Sequence, residues 1–506
     1  MQQRRDRAAP AGGEALGDEH APLVLEGRRV LVAGLGVTGR AVRDVLRARG
    51  AVVTTLDEHT PEADVADPGA VDLSTVDLVV ASPGWPPAHP LLAGARGCGV
   101  PVWSEVELAW RLRAERTPAP DGTPRGRAPW VVVTGTNGKT TTVGMLSSIL
   151  TAAGHRAPAV GNVGTPVVTA ATDPDVDVLA VELSSFQLHH TTSMSAHAAA
   201  ILNIAPDHLD WHGGMEGYVA DKARVYERAV LACVYDAADP RLERLVEAAD
   251  VVEGARAVGF TRGAPTPGQL GVIDDLLVDR AFHTGIDDPD RRGSAAELAT
   301  LGDLAHLAGP TGAVAPHVVA NALAAAALAR AVGVPASAVR DGLRAFPAGE
   351  HRAVVVRQRA GVAYVDDSKA TNAHAASASL VAYPAGTVVW IAGGLAKGAT
   401  FDELVAARAD RLHAVVLIGV DATPWETALA RHAPEVPVLR VDPTETGTVM
   451  TRAVDSARRL ARPGDTVLLA PASASMDQFV SYADRGERFA AAVRALDEGG
   501  PSGPTS

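Results

Sequence analysis

The sequence predicts an α/β protein built from three units of parallel sheet. Short runs of β-branched residues alternate with segments of helical period, and each run ends in a polar cluster. Two Gly-rich loops stand between a strand and a helix, at GLGVTG and at TGTNGKTT. A Pro/Gly/charge-rich stretch at 118–128 and a second break near 345–349 divide the chain. The expected layout is a tail at 1–27, a Rossmann-like domain at 28–117, the linker at 118–128, a central phosphate-loop domain at 129–347, a second Rossmann-like domain at 348–497 and a tail at 498–506. The length of 506 residues suits three or four domains.

Ordered chain is expected from Arg28. Val30 to Ala33 reads as a strand, and Gly34, Gly36 and Gly39 make G-x-G-x-x-G before a helix carrying Val42, Val45 and Leu46. A second strand ends at Asp57, at the spacing of an acid that holds a ribose. This opening suits NAD or another nucleotide, but nothing downstream supplies hydride chemistry. Further strands are expected at 78–81 and 101–103, then a helix at 105–113.

The central domain opens with VVVTGTNGKTTT at 131–142, followed by apolar residues at helical spacing. Gly135, Thr136, Asn137 and Gly138 are small enough to let backbone N–H groups close around phosphate oxygens, and a helix N-terminus adds its positive end. Lys139 can reach the outer phosphates, and the Thr140 hydroxyl, with Thr141 beside it, can face Mg²⁺. A strand at 176–181 delivers Glu182, where a second magnesium ligand belongs. A strand at 198–204 runs into NIAPDHLDWHG, which brings His208 to the same edge as a metal or phosphate group. Lys222, in YVADKARVY, reads as a lysine on a helix surface. Residues 234–300 suggest hairpins and short strands. Asn321 lies one helical turn from His317 in an Ala-rich helix, where packing and contact with a base are both open.

In the third unit, strands at 362–365, 387–392, 414–418 and 466–470 end in DDSK, GGLAKG, GVD and PASASMDQF. These ends form the edge where open parallel sheets bind ligands, and Lys369 and Lys397 supply positive charge there. A phosphate-loop domain between two such units favours a ligase with two further small substrates.

Composition narrows the class. A net charge of −13, with no basic run interleaved with aromatics, excludes a nucleic-acid binder. Hydrophobic residues form 47% of the chain and aromatics 4%, so the cores are mostly Ala, Val and Leu. Cys98 and Cys233 have neither metal nor disulfide spacing. The polar N-terminus is no signal peptide, and no apolar run reaches the roughly 18 residues of a membrane span, so a cytoplasmic protein is expected.

Taken together, GTNGKTTT, GNVG, ELSSFQL, NIAPDHLDWH and ADKARVY resemble the Mur ligase family of cell-wall precursor synthesis, in its three-domain order over 28–494. GEHR, DDSKATN, GGLAKG and APASASMDQF resemble its D-glutamate-adding branch. The resemblance implies ATP-dependent activation of the carboxylate of UDP-N-acetylmuramoyl-L-alanine as an acyl phosphate, which D-glutamate then attacks. It implies that Lys139 holds the outer phosphates, that Thr140 and Glu182 hold one of two Mg²⁺ ions, and that His208 helps hold the second. The lysine matching Lys222 is carbamylated in the family, which makes it a carboxylate-like metal ligand and requires a depressed pKa. Asn321, Arg352 and Asp367 fall to the ATP site. Lys369, Thr371, Lys397, Ser475 and Tyr482 surround D-glutamate, two cations for two carboxylates. Val37, Thr38 and Asp57 lie near uridine, with Asn162 and His208 toward the muramoyl-alanine end, which replaces the NAD reading. A monomer is expected. The same chemistry with L-glutamate or another amino acid stays open, since no motif writes chirality. Leu395, Tyr482 and His189 depart from the usual residues at their positions.

Overall fold

A computed structural model describes residues 23–308, 312–347 and 353–496. Its strands gather into three sheets. The first runs Val52–Leu56, Arg29–Ala33, Leu78–Ala81, Val102–Ser104, all parallel. The second has nine strands. Its centre is Trp130–Thr134, between Leu179–Glu182 and Ala198–Ile201. The 234–300 region extends this sheet, with Leu276–Asp279 antiparallel to both its neighbours and Ala296–Thr300 at the edge. The third sheet has six strands and is parallel except for Val354–Arg359, an edge strand paired antiparallel with Val362–Asp366. That strand carries Arg357, Gln358 and Arg359, charge and polarity suited to a sheet edge.

Central strands such as Trp130–Thr134 are buried at every position, as parallel strands covered on both faces must be. Their functional polar groups therefore stand at or beyond the last residue, and the loops collect along one edge.

Two stretches differ from expectation. Chain order starts before Arg28: Leu25 is buried, and the Gly27 N–H donates to Gly50 O at 2.9 Å. The 118–128 segment is a pinned loop rather than a free linker. Arg125 pairs with Asp177, Thr117 Oγ1 donates to Asp175 at 2.7 Å, and Ala128 is buried.

The first sheet and the central sheet share one apolar core, in which Val30, Val32 and Trp110 cluster with Trp130, Val132 and Val181. Trp110 and Trp130 meet edge to face, 5.1 Å between ring centres. Polar bolts reinforce this seam at the helix Glu105–Arg111. Glu107 accepts from the Thr192 and Ser193 N–H groups at 2.7 and 2.9 Å, and Glu105 accepts from Val168 N–H at 2.7 Å. The third sheet has apolar clusters of its own on its two faces.

Candidate active site

The phosphate loop is fixed by its glycines. Gly138 stands at φ +86°, directly before the helix Lys139–Ala152, and a Cβ there would lie 2.5 Å from Asn321 Oδ1. Gly135 stands at φ +149°, and a Cβ there would press on Leu202. Asn203 ties down the turn, accepting from Asn137 N–H at 2.8 Å and donating to Asn137 O at 3.0 Å. Thr136 Oγ1 lies 2.9 Å from the Tyr218 hydroxyl. Asn321, buried in the helix Pro316–Ala331, reaches the loop from the far side.

Two lysines converge on one carbonyl. Lys139 Nζ donates to Gly135 O at 2.9 Å and Thr136 O at 3.0 Å, and Lys222 Nζ donates to Gly135 O at 3.0 Å. Lys222 is buried, which corrects its reading as a surface lysine. It belongs to the helix Met215–Ala223, whose buried residues are Tyr218, Asp221 and Lys222. Its ammonium lies 4.6 Å from the Tyr218 ring centre. Burial, and then the charge on Lys139, hold the Lys222 pKa well below the usual lysine value, against the opposing pull of Asp207 and Asp221.

Glu182 ends its strand, buried, and accepts from Asn162 Nδ2 at 2.9 Å. Thr140 follows Lys139 in the first turn of the phosphate-loop helix, with buried Thr141 next to it. His208 adopts a left-handed conformation, φ 52°. Burial is the main cause of its lowered pKa; Asp207 opposes the shift and Lys397 adds to it. The charge of Lys397, from the third sheet's GGLAKG turn, therefore reaches this edge of the central sheet. A hard cation fits the donor set: a buried carboxylate, a hydroxyl beside a phosphate loop and a histidine. Among the described residues no group of three or more His, Cys, Asp or Glu side chains is arranged to hold a metal ion. Magnesium sites completed by substrate phosphates have this form.

The third unit closes directly on the loop. Asn137 and Asn372 pair their amides reciprocally, at 3.3 and 3.0 Å, and His374 Nδ1 lies 3.1 Å from Asn137 Nδ2. Sequence reasoning missed Asn372 and His374. Asn372 ends the DSKATN motif and also caps the helix Ala373–Leu380, which made an ordinary cap sufficient explanation. Lys369 Nζ stands 5.3 Å from the Tyr482 ring centre. Buried Arg485 staples the two neighbouring loops, donating to Ser368 Oγ at 3.0 Å, Ser368 O at 2.9 Å and Ser473 O at 3.0 Å. Ser475 is buried in the second of these loops. Thr371 N–H donates to Lys369 O at 2.9 Å, and Asp367 N–H to Leu469 O at 2.9 Å. Arg352 lies outside the described residues.

The first Gly-rich loop occupies the edge of the first sheet. Gly39 packs against Gly34 O, and Val37 opens the helix Val37–Arg47 exposed, with Thr38 next to it. Asp57 accepts from Leu35 N–H at 2.7 Å and His59 N–H at 2.9 Å. The Leu35 bond, opposed by burial, holds its carboxyl below the usual range, so the acid braces the loop itself. A groove on this helix is lined by Val37, Ala41, Val45, Pro166 and Thr169.

The profile of the Mur ligase middle domain matches residues 133–329, and that of the Mur ligase glutamate ligase domain matches 351–473. A UDP-N-acetylmuramoylalanine–D-glutamate ligase of Streptomyces avermitilis is 57% identical over 93% of this chain and 99% of its own. The enzyme of that name from Thermobifida fusca is 53% identical over 93% and 99%. The fold also matches the UDP-N-acetylmuramate-alanine ligase MurC of Thermotoga maritima, TM-score 0.53 at 16% identity over 93% of this chain and all of that one. The Mycobacterium tuberculosis folylpolyglutamate synthase complexed with ADP and AMPPCP matches at TM-score 0.52 and 19% identity, over 75% and 93%. With relatives this similar along nearly its whole length, the chain belongs to the Mur ligase family.

Proposed function

We propose that this protein joins D-glutamate to UDP-N-acetylmuramoyl-L-alanine in peptidoglycan precursor synthesis, with ATP hydrolysed to ADP and phosphate. The substrate carboxylate attacks the γ-phosphorus of ATP and becomes an acyl phosphate. The D-glutamate amine then adds to the acyl carbon, and phosphate leaves as the amide forms. A carboxylate is a poor acyl donor until one oxygen becomes a good leaving group, and the phosphoryl transfer needs positioning and charge neutralisation above all.

The observation that carries the reading is the phosphate loop with two lysines on the Gly135 carbonyl, faced by Asn372 and His374 from the third unit. Lys139 turns from its loop carbonyls to the outer phosphates. Thr140 and Glu182 would hold one Mg²⁺ and His208 would help hold a second, the metal supplying neutralisation of phosphoryl charge. The depressed pKa of Lys222 favours the neutral amine that takes up CO₂ as a carbamate, which then joins the metal ligands. Asn321 lies toward the adenine, with Arg352 and Asp367 on the ATP as well. Lys369, Lys397, Thr371, Ser475 and Tyr482 receive the two carboxylates of D-glutamate. Val37, Thr38 and the Asp57-braced loop receive the uridine end, and Asn162 the muramoyl-alanine end.

The test is phosphate release with UDP-N-acetylmuramoyl-L-alanine, ATP, Mg²⁺ and bicarbonate. Release is expected with D-glutamate and not with L-glutamate or without an amino acid. Release with L-glutamate alone would change the product, and no release from folded protein would overturn the reading.

A further inference from the structure

Beside these groups runs a buried polar chain. Ser185 Oγ lies 2.9 Å from His212 Nε2, and His212 Nδ1 lies 2.7 Å from Asp221 Oδ2. His189 Nδ1 lies 2.9 Å from each Asp221 oxygen, and Arg224 Nε stands 3.6 Å from Oδ1. The His212 side chain is fully enclosed, and Ser185 and Asp221 are buried. The donors follow from the partners. An ionised carboxylate only accepts, so both histidines present a hydrogen on Nδ1 toward Asp221, and His212 Nε2 meets the Ser185 hydroxyl. The order Ser–His–Asp is that of a hydrolase, but Ser185 is only 4% exposed, in the first turn of its helix, so it is no nucleophile.

The significance lies in which segments the chain joins. Ser185 opens the helix Ser185–His189, just beyond Glu182. His212 ends the helix Leu209–His212, which starts at His208. Asp221 precedes Lys222 in the helix Met215–Ala223. Helices of four and five residues do not hold themselves together, so their relative placement must come from side chains. The Phe186 ring completes the contact, stacked 5.4 Å from His212 and edge-on 4.8 Å from His208. The unusual His189 has its partner here too, in Asp221.

We infer that Ser185, His212, Asp221 and His189 form a positioning bracket that fixes the three segments carrying Glu182, His208 and Lys222 as one metal-binding unit. This rests on the ligase reading. The bracket's contacts run among its own side chains, so it acts through the spacing of the groups it joins. Groups in this outer position typically contribute about 10–100-fold to metal affinity.

The experiment is Mn²⁺ binding in the presence of ADP, followed by the loss of the free-ion spin resonance signal, on the full chain. Ser185→Ala and His212→Ala should weaken Mn²⁺ binding about 10–100-fold. His212→Asn, which keeps a donor toward Asp221 but loses the link to Ser185, should fall between His212→Ala and wild type. The KM for UDP-N-acetylmuramoyl-L-alanine should stay near wild type while the Mg²⁺ requirement for phosphate release rises. Leu188→Ala, a core change on the same short helix, controls for stability. Equal Mn²⁺ affinity in folded Ser185→Ala and wild type would overturn the bracket. So would losses that track melting temperature alone across Leu188→Ala and the bracket variants. If His212→Ala does not fold, Ser185→Ala, which removes a single oxygen, decides the matter. A wild-type protein that takes up no Mn²⁺ with ADP would instead overturn the ligase reading and the bracket with it.

Discussion

Glu105 shows how one buried acid can make a whole chain sensitive to pH. Burial pushes its carboxyl up to about 7, and the N–H donors of Val168 and Val167 only partly offset that. Among the described residues Oε2 has no hydrogen-bond partner. A folded pKa raised above the ordinary 4.5 means that the folded state holds this proton more tightly than the unfolded chain does. The stabilisation is then complete below pH 4.5 and is lost as pH rises through about 7. The loss is on the order of 3 kcal/mol for a shift of this size. Glu105→Gln keeps the acceptor and cannot ionise. Its melting temperature should be flat across that window where wild type declines, and parallel slopes in the two proteins would refute the assignment. Asp221 behaves in the opposite way. Burial raises its pKa, but the His189 and His212 bonds outweigh it and hold the carboxyl at about 2, so it stays ionised throughout the same range.

At the scale of elements, the phosphate loop depends on close approach. Gly138→Ala would place a methyl against Asn321 Oδ1 and force a left-handed alanine, φ +86°. Strain of this kind costs on the order of 1–3 kcal/mol. We expect severely weakened ATP binding by calorimetric titration and a lower melting temperature, the melting temperature partly restored in Gly138→Ala/Asn321→Ala. No restoration would mean that backbone conformation alone sets the penalty. Such loops were legible because the parallel strands are short apolar runs whose polar residues gather at or just beyond their C-terminal ends. The buried face of the helix Met215–Ala223 was not legible for the converse reason. It carries Asp221 and Lys222, and a pattern read by hydrophobicity assigns those residues to solvent. Glu182 was found from its own strand, whereas the Asn137–Asn372 pair joins positions 235 residues apart, where no local period speaks. The hairpins at the end of the central sheet were expected only as hairpins; their joining a nine-stranded sheet depends on the parallel contact of Arg256–Phe260 with Ala232–Asp236.

Across the whole molecule, the ligand-facing loops of the central and third sheets are brought together by polar contacts, Asn372 and His374 on Asn137. The first sheet is joined to the second by apolar packing and buried carboxylates. The two joints differ in kind. Amide pairs can exchange with water at little cost, and apolar seams cannot. Three sheets therefore amount to two cooperative units. Scanning calorimetry should resolve two heat-absorption peaks, the first and central sheets melting together and the third separately. Three peaks would mean that the Trp110–Trp130 seam does not couple its neighbours. If two are found, trimming this enzyme to its nucleotide-handling centre is closed as an engineering route, because removing the first unit would strip the wall from a core it helps to enclose.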